Sequence, residues 1–193
     1  YDLEVYGSMA QPVMNNRNIV ARRFRDDREA DYLLMMDNDV VPQGNPLDYV
    51  ELGLDIVVFP CPMWKPTNDP ANPVCWNVRQ RDEDGEVMAG SLQVAERYSP
   101  ISEGGTGAML IHRRVLDHTA MANPFQETCN AWGVTEISHD LAFCARVREA
   151  GFKVYAAWDT PCSHFGEVDL LELWQAVVTR DMKMIQKGTR AIS

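Results

Sequence analysis

Two aspartates, Asp37 and Asp39, stand one residue apart where the apolar run "YLLMMDNDVVP" ends. At a strand exit such a pair can turn toward one point, and the carboxylates repel unless something positive lies between them. A divalent cation with oxygen-rich coordination is one filler. A plain turn is the other, because Asp and Asn are common turn residues and D-x-D is a short pattern. Asp140 follows Ser138 and His139 at the head of "DLAFCARVREAG", where an acid suits the helix dipole and the unpaired amides without any catalysis. His112, His118, His139 and His164 are each satisfied, taken singly, by an ordinary hydrogen bond. "GGTG", Gly104 to Gly107, reads as a turn, since glycine supplies backbone conformations that other residues avoid. Trp64 could stack on a sugar or cover the edge of a core.

The elements around these residues alternate. "NNRNIVARRFRDDREA" sets Ile19, Val20 and Phe24 on one side of a helical pattern, predicting a helix from about Asn16 to Glu29. "DYLLMMD" is an unbroken apolar run of strand length and reads as an interior parallel strand covered on both faces. "LDYVELGLD" reads as a short helix with Gly53 near its end, and "IVVFPCPMW" as a buried strand stopped by prolines. "KPTNDPANP" is a loop, and "RDEDGEV" carries an Asp84-Gly85 hairpin turn, so residues 65–100 hold a small β excursion. "GGTGAMLIHRRVLDHTA" combines a turn, a strand and a helix start. "SHDLAFCARVREAGF" has Leu141, Phe143, Cys144 and Val147 at helical spacing and Gly151 as its stop. "KVYAAWD" is a strand, "TPCSHFGEVD" a loop and "LLELWQAVVTRDMKMIQK" a terminal amphipathic helix. This order predicts an α/β fold with a mostly parallel sheet.

At 193 residues the chain fits one domain, and 46% apolar with 24% charged residues is the balance of a folded protein. A net charge of -10 repels a polyanion, which disfavours a nucleic-acid substrate. The cysteines (Cys61, Cys75, Cys129, Cys144, Cys162) are an odd, scattered set without a CxxC pair, which reads as reduced cytosolic thiols. No run approaches the ~20 apolar residues that span a bilayer, and no signal peptide opens the sequence, so the simplest expectation is a cytoplasmic protein.

Four blocks in order, "NNRN" before a helix, "LLMMDNDVVP", "GGTGAMLIHRRVL" and "SHDLAFCARVREAGFKVYAAWDTPCSHFG", resemble nucleotide-sugar-dependent glycosyltransferases of the GT-A fold, family-2-like, over most of residues 15–166. The resemblance implies a single GT-A domain over residues 1–193, with a Rossmann-like, mostly parallel sheet flanked by helices. It implies a Mn²⁺ or Mg²⁺ ion on Asp37, Asp39 and His164 that holds the diphosphate of a UDP- or GDP-linked donor. A histidine in the set favours manganese. It further implies Asp140 as the general base that deprotonates a carbohydrate or other hydroxyl acceptor, with inversion, while retaining enzymes share the same fold and D-x-D feature. Arg17, Asn18, Gly104, Gly105, Thr106 and Gly107 fall on the donor side and Trp64 on the acceptor side.

Two features depart from that pattern. His139 stands where inverting members carry a further acid. Only 36 residues precede Asp37, so the first nucleotide-binding strand is either upstream of Tyr1 or a short version within residues 1–7. Two rival functions remain: a metal-dependent nucleotidyltransferase, which would usually want a glycine-rich basic loop near its start, and a non-catalytic carbohydrate-binding protein on the same fold.

Overall fold

The computed structural model describes residues 2–9, 12–64, 74–82 and 96–165, with the side chains of Trp64 and Val74 outside that description. The expected Asp84-Gly85 hairpin and the C-terminal amphipathic helix lie outside the described residues.

Residues 2–9 form no strand; they run beside helix α1 (Val13–Asp26), with Glu4 on Arg23 at 3.0 Å and Arg23 4.1 Å above the Tyr6 ring. Arg17, Ala21 and Phe24, four and three residues apart, form the buried stripe of α1. Strands β1 (Tyr32–Met36) and β2 (Val40–Pro42) follow, then a 3-10 turn (Pro46–Leu52) where a short helix was expected. Next come β3 (Ile56–Val58), β4 (Pro62–Trp64), β5 (Val74–Trp76) and β6 (Val78–Arg79), then β7 (Tyr98–Ile101), β8 (Glu103–Gly104) and β9 (Ala108–His112). Helix α2 (Arg113–Leu116) and a second 3-10 turn (Thr119–Met121) lead to the hairpin β10 (Thr128–Cys129) and β11 (Thr135–Ile137). Helix α3 (His139–Glu149), β12 (Val154–Ala157) and β13 (Cys162–His164) complete the order. Gly151, at φ 88°, takes the left-handed conformation that ends α3 where the sequence put its stop.

Five strands form the main sheet in the order β1-β9-β3-β12-β7. Only β3 and β12 pair in parallel; β1 with β9, β9 with β3 and β12 with β7 are antiparallel. The α/β class holds, but the expected mostly parallel sheet does not, and β1 is an end strand of this order instead of an interior parallel one. Strands β3 and β9 are buried on both faces, and such runs read alike in sequence whichever way their neighbours point.

Leu33, Met35, Ile56, Val58, Met109, Ile111 and Val154 pack with Ala21 and Phe24 of α1 and Phe143, Cys144 and Val147 of α3. Val57, Ala108, Leu110 and Ala157 face the other way, toward Phe59 and toward Tyr49 of the first 3-10 turn. Each such fully buried large side chain contributes roughly 1.5–3 kcal/mol, so both faces stabilise the sheet. No helix among the described residues is long and apolar enough to cross a membrane.

Because β1 and β3 both run against β9, and β12 runs with β3, the carboxyl ends of β1, β3 and β12 gather at one edge. Loops at such an edge can collect polar groups over a rigid base.

Candidate functional site

The acidic pair leaves β1 at this edge. The Asp37 amide donates to the Gly107 carbonyl at 2.8 Å, and the Val40 amide donates back to the Asp37 carbonyl at 3.2 Å, closing a turn that starts β2. Strand β2 pairs antiparallel with β13, Val40 opposite His164, and the Phe165 amide donates to the Asp39 carbonyl at 2.7 Å. The expected loop "TPCSHFGEVD" therefore contains a strand; three residues with polar Ser163 and His164 give no apolar signal.

That ladder brings His164 Nε2 to 3.5 Å from Asp39 Oδ2. His164 Nδ1 lies 3.0 Å from the Pro62 carbonyl. A carbonyl only accepts, so Nδ1 carries a proton in this contact, and Nε2 is the ring nitrogen turned toward Asp39. Outer-sphere carbonyls orient metal-binding histidines in the same way.

Asp37 has a different partner. Arg17, 9% exposed, donates from Nη2 to Asp37 Oδ2 at 3.0 Å and from Nε to His139 Nε2 at 3.1 Å. Accepting at Nε2 leaves the His139 proton on Nδ1, which faces Glu127 Oε1 at 3.7 Å. Glu127 Oε2 in turn accepts from the Thr135 hydroxyl at 2.9 Å. The sequence named His139 only as a departure and gave no signal for Glu127, whose place depends on the fold of its hairpin.

Asp140 sits in the first turn of α3, beside His139. Its Oδ1 accepts from the Ser138 hydroxyl and from the Leu141 amide, and neither bond engages Oδ2. Asn18 is not at the acidic edge: its amide clamps the Phe125 backbone, donating to the carbonyl at 2.9 Å and accepting from the N–H at 3.0 Å. Trp64 ends β4, two residues after the Pro62 carbonyl that fixes His164, and its side chain lies outside the description.

The glycine turn has a packing reason that the sequence did not reveal. A Cβ on Gly104 would stand 2.7 Å from Val58 Cγ2, and one on Gly105 would stand 2.8 Å from Asn77 Nδ2. On Gly107 it would fit at ordinary contact, 3.8 Å from Asp37 Oδ2. Between them Thr106 is 2% exposed, and its hydroxyl has no partner among the described residues. A buried hydroxyl without a partner is uncommon in folded proteins.

The donors suit a manganese or magnesium ion in kind: carboxylates from Asp37 and Asp39 and one oriented imidazole. They do not close into a cage, since no group of three His, Cys, Asp or Glu side chains among the described residues comes together as a metal site. A separate groove of about 580 Å³, lined by Arg22, Arg25 and Arg28 with Asp26 and Asp117, contains none of these residues. Its charges are partly paired within it, with Arg28 on Asp117 at 3.6 Å and Arg22 on Asp26 at 4.0 Å.

No family model matches the sequence, and no curated protein matches it. Among solved structures, the crystal structure of A197 from STIV is similar, with a TM-score of 0.53 and 20% identity over 82% of this chain and 70% of that one. At that identity the likeness speaks for the α/β fold alone.

Proposed function

We propose that the chain is a metal-dependent glycosyltransferase of the GT-A type, moving a sugar from a UDP- or GDP-linked donor to an acceptor hydroxyl with inversion. The observation that carries this reading is the Asp39–His164 pair. Asp39, in the turn before β2, and His164, in β13, are far apart in sequence and are held 3.5 Å apart by the β2–β13 ladder, with His164 Nδ1 on the Pro62 carbonyl. Asp39, His164 and Asp37, through the Oδ1 that Arg17 does not use, would hold the cation. When bound, the cation neutralises the donor diphosphate and the charge that develops as it leaves.

The chain's own groups do the rest. Asp140 Oδ2 takes the proton of the acceptor hydroxyl as its oxygen attacks the anomeric carbon. The bond from that carbon to the diphosphate oxygen breaks, and its electron pair leaves on the diphosphate. Arg17 keeps the Asp37 carboxylate in place while sharing its charge.

Incubation with Mn²⁺ and a panel of UDP- and GDP-sugars should release nucleoside diphosphate. Asp39→Ala and His164→Ala should lose metal-dependent donor binding, whereas Asp140→Ala should retain binding and slow transfer by about 10²–10⁴-fold. Pyrophosphate release would favour nucleotidyl transfer, and no release with any donor would sink the proposal.

A further inference from the structure

The hairpin β10–β11 stands immediately before α3 and carries Trp132 at its tip, 90% exposed, with Val134 60% and Ile137 43% exposed. Scattered exposed apolar residues are normal; the construction of this tip is what sets Trp132 apart. Asn130 Oδ1 accepts from the Trp132 amide at 3.0 Å and from the Val134 amide at 3.1 Å. The Asn130 amide donates to the Val134 carbonyl, and the Gly133 amide to the Asn130 carbonyl, each at 3.0 Å. Gly133, at φ 76°, adopts the left-handed conformation the turn requires. A hydrogen-bonded turn thus holds a large flat ring out into water.

The foot of the same hairpin is tied into the site. Thr135 bonds Glu127, Glu127 faces His139, and His139 accepts from Arg17, which holds Asp37. Beyond β11, the chain runs through Ser138 and His139 to Asp140. The ring is therefore carried on an arm anchored at the acidic pair and continuous with the proposed base.

We propose that this hairpin is the acceptor arm and that Trp132 is its platform, stacking on a ring of a carbohydrate acceptor. The inference rests on the glycosyltransferase reading and names the substrate class of its second site. Indole offers a broad, rigid, amphipathic face with little rotamer entropy to lose. Exposed Thr128 adds a hydroxyl on the strand that can meet those of a sugar. Other occupants fit less well. Trp132 with Val134 and Ile137 makes only a small apolar patch, whereas a stable protein interface takes roughly 800 Å² per partner. Residues 126–140 carry Glu127, Glu136 and Asp140 and no lysine or arginine, a balance that repels an anionic lipid surface.

The test uses the full chain and follows its tryptophan indole N–H resonances by NMR during titration with glucose, galactose, mannose, N-acetylglucosamine and their disaccharides. Trp132→Phe assigns the Trp132 peak. The expected result is saturable movement of that peak by one saccharide class, and binding about ten-fold or more weaker in Trp132→Ala, with an unchanged thermal midpoint. Equal affinity in Trp132→Ala, or no saccharide that moves the Trp132 peak, overturns the platform. The titration needs no donor and the release assay needs no acceptor, so failure of the arm and failure of the transfer reading are told apart.

Discussion

The pairing of Arg17 with Asp37 makes a prediction that needs no knowledge of the substrate. The guanidinium is 10% exposed and the carboxylate 37%, with 3.0 Å between Nη2 and Oδ2. Two unit charges about 4 Å apart near a protein surface interact by ~4 kcal/mol. Solvent on the carboxylate side and the screening it brings reduce this, giving an expected coupling of about 1–2 kcal/mol. The single substitutions should be unequal. Arg17→Met keeps the stem and leaves a carboxylate that can turn to water, whereas Asp37→Ala strands a nine-tenths buried positive charge and should destabilise more. Urea denaturation of both single variants and of the double variant yields the coupling as the departure from additivity. Additive losses within about 0.3 kcal/mol would refute the argument. So would a milder effect of Asp37→Ala than of Arg17→Met. A second readout bears on function: with the competing cation removed, Arg17→Met should bind Mn²⁺ more tightly by calorimetry if Asp37 is a ligand.

Gly104→Ala forces a Cβ to 2.7 Å from Val58 Cγ2 and should cost about 1–3 kcal/mol by denaturation, part of which Val58→Ala restores. Burial pushes the Cys144 thiol up to about 12, and the hydrogen bond between Cys61 and Cys162, followed by burial, raises the Cys61 thiol. Brief alkylation of the native protein read by mass spectrometry should therefore mark exposed Cys129 first and reach Cys61 and Cys144 only on unfolding. Burial, and then the Arg114 charge, depresses His112 below its ordinary 6.5. The unfolded chain then takes the proton first as pH falls, so this contribution is complete above 6.5 and is lost on descent through the depressed folded value. His112→Asn keeps an acceptor for the Arg114 amide at the start of α2 and should flatten the loss of stability as pH falls below the ordinary 6.5.

What could be read in the sequence followed from periodicity and from stop signals. α1 and α3 emerge from apolar spacing and Gly151, and the exit of β1 is marked where apolar residues give way to Asp37 and Asp39. Pairing partners carry no such local signal. Nothing near His164 announces that a three-residue ladder will set it against Asp39, and nothing near Glu127 announces His139. Gly104 and Gly105 read as a turn on the donor side, and the atoms that exclude a side chain there belong to Val58 and Asn77, which no local signal announces. Trp132 passed unnoticed because exposure at a hairpin tip is a tertiary property, although the turn chemistry of Asn130 and Gly133 was present in the residues.

The error in strand direction bears directly on the site. A strand parallel to β1 and β3 would begin at the far edge of the sheet and deliver its leading glycine turn away from the acids. β9 runs the other way, so the turn that opens it lies beside the carboxyl ends of its two neighbours. Gly107 accepts from the Asp37 amide at 2.8 Å, and Ala108 accepts from the Phe59 amide at 3.0 Å. The antiparallel insertion also leaves β1, β3 and β12 pointing together, which is why Asp37 and Asp39, the Pro62 carbonyl and His164 reach one edge although they come from three separate stretches of chain. Replacing Gly107 therefore tests the arrangement more directly than replacing Gly104. Its Cβ would meet Val40 at 3.4 Å, Cys61 at 3.5 Å and Asp37 at 3.8 Å, so alanine fits, and a larger side chain is driven into the turn that aims both carboxylates. Loss of stability with Gly107→Val but not with Gly107→Ala is the expected outcome by thermal melting, and equal melting of the two variants would mean that the turn does not rest on this glycine.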